Sequence, residues 1–220
     1  MQVPAHAKLE YSSSLMVEVP AASKADEGGD SLRSVGGYRL EGVLGSGGMA
    51  TVYRAARLSG SSAPCALKVL HPHLRDDEAL VADFLREGRV GRSIRHPNVV
   101  QVHECVELPE ALFLVLDLVE GQTLAALLAD RGPLPPAIAV RIGVDLLRGL
   151  HAAHEATTAR GKRLDLIHCD VTPHNLLVGT DGVTRLADFG IARVTERYTA
   201  RGSLAQDDGI PSVLKGKLRY

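Results

Sequence analysis

A glycine-rich turn, LGSGGMATV at residues 44–52, lies between two runs of strand character, YRLEGVLG ahead of it and ATVYRAARL behind it. Residues without a side chain let a backbone turn tightly and bring its amides close to phosphate oxygens. The surroundings limit what such a turn can belong to. A dinucleotide-binding glycine motif opens a helix, whereas Gly45, Gly47 and Gly48 lead into Thr51, Val52 and Tyr53, residues that favour a strand. A P-loop closes on Gly-Lys-Ser/Thr, which this turn lacks. Two readings remain, a plain β-hairpin turn and a hairpin lid over phosphates.

The next run, APCALKVL at 63–70, offers a third strand and hence an antiparallel meander. Alternation puts Ala66 and Lys68 on the face opposite Leu67 and Val69, beneath the glycine turn. The stretch DDEALVADFLREGRVGRSI opens with acids suited to a helix N-terminus and spaces Leu80, Phe84 and Ile94 helically. A helix packed on the third strand brings Glu87 towards Lys68. A lone strand lysine is ordinarily a solvated edge, but the apolar flanks here favour a phosphate-pairing lysine held by Glu87. Two more apolar runs, NVVQVHECV and ALFLVLDLV, complete a five-stranded sheet, and TLAALLAD and PAIAVRIGVDLLRGLHAAHEA read as helices. A sheet followed by helices predicts an α+β chain of two lobes joined near EGQ at 120–122. The expected division is a flexible arm over 1–37, a sheet lobe over 38–119 and a mainly helical, incomplete lobe over 120–220. Within the arm, LEYSSSLMVEVP has the texture of an added strand.

Composition removes several function classes. A formal net charge of −1 carries no global basic footprint, so nucleic acid is not an expected partner. Cys65, Cys105 and Cys169 are scattered without a C-x-x-C pair, against a disulfide framework or a structural zinc site and in keeping with a cytoplasmic setting. The most apolar run, at 111–119, is short and contains Asp117, so no membrane span is expected in this chain. His151 and His154 lie one helical turn apart with no third ligand suitably spaced, and read as surface histidines rather than a metal site. The basic stretch TTARGKRLD at 157–165 has no interleaved aromatic residues and reads as a solvated loop.

GSGGMATVYRA, ALKVL, FLREG, RHPNVV, HCDVTPHNLL and LADFGIAR stand in one order. Their joint occurrence resembles the eukaryotic-like serine/threonine protein kinases of bacteria, from about Tyr38 to Tyr220. The resemblance implies the two-lobed protein-kinase fold and a catalyst that takes ATP and Mg²⁺. It implies that Gly45, Ser46, Gly47, Gly48, Met49 and Val52 cover the phosphates, that Lys68 holds the α and β phosphates, and that Glu87 orients Lys68. It makes Asp170 the residue that aligns or accepts the proton of a substrate hydroxyl, with Asn175 and Asp188 holding Mg²⁺. By the same likeness the adenine lies between Val52 and Ala66 above and Leu177 below. The hinge is then DLVEG at 117–121, with Asp117 and Val119 facing the adenine, Leu116 as the gatekeeper and Glu120 bonding the ribose.

The chain departs from the family pattern at several points. Ala50 replaces the last loop glycine, a mild change if φ stays negative. Cys169 replaces the arginine that ordinarily pairs with a phosphorylated activation segment. Thr172 replaces a phosphate-contacting lysine, while Pro173 keeps the serine/threonine type of catalytic loop. Gly91 stands where a bulky apolar residue packs towards Phe189, a loss unless a neighbour fills the space. Lys217 stands where relatives have a threonine, and is a candidate to restore the charge missing at Thr172. Thr195, Thr199, Ser203 and Ser212 are candidate phosphorylation sites. The chain reads as stopping at Tyr220 just before the Ala/Ser-Pro-Glu element, which would leave the helix over 135–156 without its usual packing partner. Three functions stay open: a protein serine/threonine kinase, a nucleotide-binding scaffold of kinase-like fold, and a fragment stable only with more sequence or a partner.

Overall fold

The computed structural model describes residues 34–60, 63–158, 160–164 and 166–189, and the backbone of 193 and 194. The strand texture expected at LEYSSSLMVEVP, the four candidate phosphorylation sites and Lys217 lie outside the described residues.

The first lobe is an antiparallel sheet of six strands rather than five: β1 (Ser34–Val35), β2 (Tyr38–Ser46), β3 (Ala50–Arg57), β4 (Pro64–Leu70), β5 (Val102–Glu107) and β6 (Leu112–Asp117). Their order is β1-β2-β3-β4-β6-β5. The additional strand, β1, arises from a two-residue Gly-Gly hairpin. Gly36 and Gly37 have φ of +54° and +83°, the left-handed backbone that such a turn demands, and Val35 pairs with Tyr38 across it. Between β4 and β5 runs α1 (Glu78–Ser93), capped by the Asp77 carboxylate, which accepts hydrogen bonds from the amides of Ala79 and Leu80.

The two faces of the sheet bury different clusters, as strand alternation requires. Tyr38, Ala55, Leu67, Phe113 and Val115 pack on one face. On the other, Ala50, Leu70, Phe84, Val102, Leu112 and Leu114 fill the space beneath α1. The helix lies close to the strands because two of its positions lack side chains. A Cβ at Gly88 would stand 2.7 Å from Leu114 Cδ2, and one at Gly91 would collide with the Val102 side chain. Val102 therefore fills the space that Gly91 leaves, although it packs with Ala50, Leu70 and Phe84 and not in the cluster that holds Phe189.

The chain then forms β7 (Gly121–Thr123), α2 (Leu124–Arg131), α3 (Pro136–His154) and β8 (Leu166–Ile167). It continues into β9 (Leu176–Gly179), β10 (Thr184–Leu186) and β11 (Arg193–Val194). Where a simple connection was expected at 120–122, Gly121–Thr123 pairs with β9, and a Cβ at Gly121 would meet the Val178 carbonyl. A third cluster ties the lobes together: Val90 and Ile94 from the α1 end, Val99, Ala153 from α3, Leu166, Leu176, Leu186 and Phe189. The backbone adds direct links, with Val100 N donating to Leu186 O and Leu186 N to Asn98 O, each at 2.9 Å. Gly149 of α3 lets this segment approach, since a Cβ there would stand 2.6 Å from Asn98 O. Asp145 is fully buried on α3 and accepts a hydrogen bond from Thr184 N at 3.1 Å. The opposite side of α3 exposes Val140, Val144 and Leu147, and Ile138 is exposed in its first turn. Among the described residues, no helix is long and apolar enough to cross a membrane.

Candidate active site

The glycine turn joins β2 to β3, with Gly45 opposite Val52 and Ser46 opposite Thr51. Gly47 N donates to Ala50 O at 2.9 Å, closing the turn. None of Gly45, Gly47 and Gly48 has a positive φ, and a Cβ would meet nothing within 4 Å at Gly45 or Gly48. Their lack of side chains is therefore not needed by the turn itself; it leaves the backbone open to whatever lies beneath. Ala50 keeps a negative φ and is buried, so its methyl replaces glycine without strain. The Met49 side chain packs against the cluster of Ala50, Leu70 and Phe84, and its carbonyl accepts a hydrogen bond from His71 N at 2.9 Å. The tip has a side-chain tether as well: Ser46 Oγ lies 3.2 Å from Thr51 Oγ1, which lies 3.0 Å from His71 Nε2.

Val52, Ala66 and Lys68 come together on one face, Val52 pairing directly with Lys68. Lys68 Nζ donates to both oxygens of Glu87, at 2.7 and 2.9 Å, and to Asp188 Oδ1 at 3.2 Å. Lys68 and Glu87 are buried, whereas the Asp188 side chain is 45% exposed. Burial works against the ammonium, but the attraction of Glu87 and Asp188 outweighs it and raises the Lys68 pKa. Burial raises the Glu87 carboxyl, Lys68 opposes that rise, and Asp188 adds to it. The three groups come from β4, α1 and the segment after β10, so their meeting requires both lobes.

Asn175 ends a short 3₁₀ turn, Pro173–Asn175, and Asp170 lies three residues before that turn begins. Asn175 Nδ2 donates to Asp170 O at 2.9 Å and to Asp170 Oδ2 at 3.2 Å. Ala187 N donates to Asn175 O at 2.8 Å, so this loop is fastened to the residue before Asp188. His168 completes the frame. Its Nδ1 accepts from Asp170 N at 3.3 Å, which leaves Nε2 to donate to Ala187 O at 3.2 Å. Burial lowers the His168 pKa, in keeping with a neutral ring. Phe189 packs on that ring with centroids 4.7 Å apart. The two non-glycine residues of positive φ among those described are Cys169, at +66°, and Asp188, at +65°. Both flank this frame, as strained backbone tends to do at working sites.

The residues expected to form the hinge lie at the end of β6 and beyond it. Asp117 N donates to Gln101 O at 3.0 Å, and its carboxylate meets His103 Nε2 at 2.7 Å. Leu116 pairs with Ala66. Val119 is half-buried, and Glu120 is exposed with its carbonyl accepting from Thr180 N at 2.8 Å. Leu177 is half-buried in β9 between Thr123 and Arg185, on the opposite face from the buried Leu176.

Residue patterns left three participants unnoticed. Arg54 bonds Glu120 at 2.7 Å, His71 ties down the glycine turn, and Val102 fills the space at Gly91. Arg54 was discoverable by counting two residues along β3 from Val52. The other two depend on which strands become neighbours.

The family model described as protein kinase domain matches residues 38–208. The chain belongs to the protein kinase domain family. Among relatives of this kinase domain, the serine/threonine-protein kinase PknL of Mycobacterium tuberculosis is 37% identical over 156 residues, covering 71% of this chain and 37% of the relative. PrkC of Bacillus subtilis, also a serine/threonine-protein kinase, is 32% identical over 167 residues, 76% of this chain and 24% of the relative. The tyrosine-protein kinase MasK of Myxococcus xanthus is 31% identical over 197 residues, 86% of this chain and 29% of the relative. The chain thus spans between about a quarter and little more than a third of the length of these three. Members of the family use ATP and Mg²⁺.

Proposed function

We propose that this kinase domain transfers the γ-phosphoryl group of ATP to a serine or threonine hydroxyl of a protein substrate. The observation that carries the reading is Lys68 held between Glu87 and Asp188, with the Asp170–Asn175 pair fastened to the residue before Asp188 by the bond from Ala187 N to Asn175 O. In this reading the lobe over 38–119 is the roof of the cleft and the chain from 120 its floor.

Phosphoryl transfer asks mainly for positioning and charge stabilisation, and each group has a corresponding task. Lys68 holds the α and β phosphates. Its contacts with Glu87 fix the ammonium on its strand. Gly45, Ser46, Gly47, Gly48 and Met49 offer backbone amides from above, with Val52 and Ala66 over the adenine and Leu177 under it. The backbone of Asp117 and Val119 meets the adenine edge, and Glu120 meets the ribose. Asn175 spends its amide nitrogen on Asp170, so its side-chain oxygen is the group it would turn to a cation, beside the Asp188 carboxylate that also accepts from Lys68. An all-oxygen pair suits a hard divalent ion, and Mg²⁺ held there neutralises triphosphate charge. Asp170 aligns the substrate hydroxyl and accepts its proton as the new oxygen–phosphorus bond forms and the bond to the β-phosphate oxygen breaks. ADP leaves.

Pro173 supports a serine or threonine acceptor, whereas the similarity to a tyrosine-protein kinase makes the acceptor the point to test. Thr172 supports the second reading, a nucleotide-binding scaffold, because no cation stands at that position beside the transferred group. One experiment separates them. Mg²⁺-dependent transfer from labelled ATP is measured on Ser, Thr and Tyr peptides, with Asp170→Asn as control. Incorporation on Ser and Thr peptides that falls by about 10²–10⁴-fold in Asp170→Asn establishes the kinase. No transfer by either chain, with Mg²⁺-ATP still raising the melting temperature, establishes the scaffold.

A further inference from the structure

Arg54 lies on the cleft-facing side of β3, two residues from Val52 and directly opposite Ala66 in an unbroken register. Its guanidinium reaches out of the sheet lobe to Glu120, with Nη1 2.7 Å from Oε1. On its other side, Nε donates to Glu41 Oε2 of β2 at 3.3 Å. Glu120 is fixed from the opposite direction too, because its carbonyl accepts from Thr180 N of the β9–β10 turn. Arg54 is thus the side chain that connects the strand leading into the glycine turn, the strand leaving it and Glu120 in the segment joining the two lobes. Among the described residues, Oε2 of Glu120 takes no hydrogen bond.

A carboxylate on a flexible stem at the mouth of a cleft samples several rotamers, and a group that fixes one of its oxygens presents the other in a defined direction. We propose that Arg54 is a positioning residue for nucleotide recognition: by holding Oε1 of Glu120, it presents Oε2 to the ribose hydroxyls. The proposal rests on the nucleotide reading given above. It assigns Arg54 a role in discrimination between ribose and deoxyribose, separate from phosphate binding by Lys68.

The full chain is titrated with Mg²⁺-ATP, Mg²⁺-2′-deoxy-ATP and Mg²⁺-3′-deoxy-ATP by calorimetry. The variants are Arg54→Met, Arg54→Lys, Glu120→Gln and Arg54→Met/Glu120→Gln, each checked for an unchanged circular dichroism spectrum. The wild type is expected to prefer ATP over at least one deoxy analogue. Arg54→Met is expected to reduce that preference by about two- to fivefold, the range an exposed charge pair supports. Arg54→Lys should retain part of it, and the double variant should lose no more than Glu120→Gln alone. A role in stability alone would weaken all three nucleotides equally and leave the ratio intact. An unchanged ratio in Arg54→Met, with the ratio lost in Glu120→Gln, overturns the positioning role. An unchanged ratio in both removes Glu120 from the ribose and overturns the proposal with it. A folded wild type that binds none of the three nucleotides overturns the underlying nucleotide reading, a result distinct from either.

Discussion

Lys68 and Arg54 stand on neighbouring strands, and each is held between two carboxylates. In each case one partner comes from the same lobe and one from beyond it: Glu87 and Asp188 for Lys68, Glu41 and Glu120 for Arg54. What differs is water. The Lys68 and Glu87 side chains are 10% and 6% exposed, whereas those of Arg54 and Glu120 are 37% and 63% exposed. In the interior, a charge that loses its partner has no solvent to replace it, and removing one member costs far more than the intact pair contributes. At the surface, water takes over and little stability is lost. The inner cluster therefore couples the site to the fold, and the outer one adjusts a ligand contact with little effect on folding.

The largest test of this contrast is Lys68→Met. The substitution leaves Glu87 buried with its remaining charged neighbour, Asp188, repelling it, and should lower stability at neutral pH by about 3–5 kcal/mol. Urea denaturation measures the loss. Its pH dependence identifies the cause. In the variant, burial and Asp188 hold the Glu87 pKa above its unfolded value of about 4.3. The folded state then binds more protons than the unfolded state between those two pKa values, so stability falls as pH rises through that window. Conversely, the deficit should shrink as the pH is lowered towards 4.3. A deficit independent of pH would point to lost packing by the lysine stem instead.

A second test moves one partner instead of deleting it. Gly91→Leu drives a side chain into Val102 and forces α1, which carries Glu87, away from β5. Overpacking of this kind costs about 1–3 kcal/mol, offset by about 1 kcal/mol of helix propensity gained over glycine. Stability and phosphoryl transfer should both fall, and Val102→Ala in the same chain should restore part of each by reopening the space. If Gly91→Leu leaves both unchanged, close approach at this glycine does not set the distance between Glu87 and Lys68.

These two positions also mark how far residues alone revealed the molecule. The placement of Lys68 on the cleft side of β4 followed from alternation with Leu67 and Val69, and Glu87 followed from the helical spacing after it. Short-range periodicity carries that information. Gly91 was legible only as a missing side chain, because its filler, Val102, comes from a strand eleven residues further on whose neighbours are chosen by the whole sheet. The sixth strand was overlooked for a similar reason: Ser34 and Val35 have little strand texture, and the Gly36–Gly37 turn is what pairs them with β2. The Asp170, Asn175 and Asp188 positions were readable from the order of motifs. The His168 bridge from Asp170 N to Ala187 O, which fastens the two segments together, needs coordinates.

The smallest expected effect is the most discriminating. Arg54→Met removes a guanidinium that two carboxylates hold, Glu120 foremost, and their attraction raises its pKa. An account based on contacts alone would rank it beside Lys68→Met, since each side chain bridges two acids. An account based on solvent exposure predicts that the urea midpoint of Arg54→Met matches the wild type within experimental error at 0.15 M salt, because water and ions screen the charges left behind. The same exposure makes the ribose preference of the wild type sensitive to salt. Raising the ionic strength to 1 M shortens the Debye length to about 3 Å and should weaken the Arg54–Glu120 contact, moving the ATP to deoxy-ATP ratio towards that of Arg54→Met. Over the same salt range the Lys68–Glu87 pair, shielded from solvent, should keep its contribution to stability. A midpoint for Arg54→Met that falls as far as that of Lys68→Met would mean that the outer cluster also fastens the lobes, and exposure would no longer account for the difference between the two.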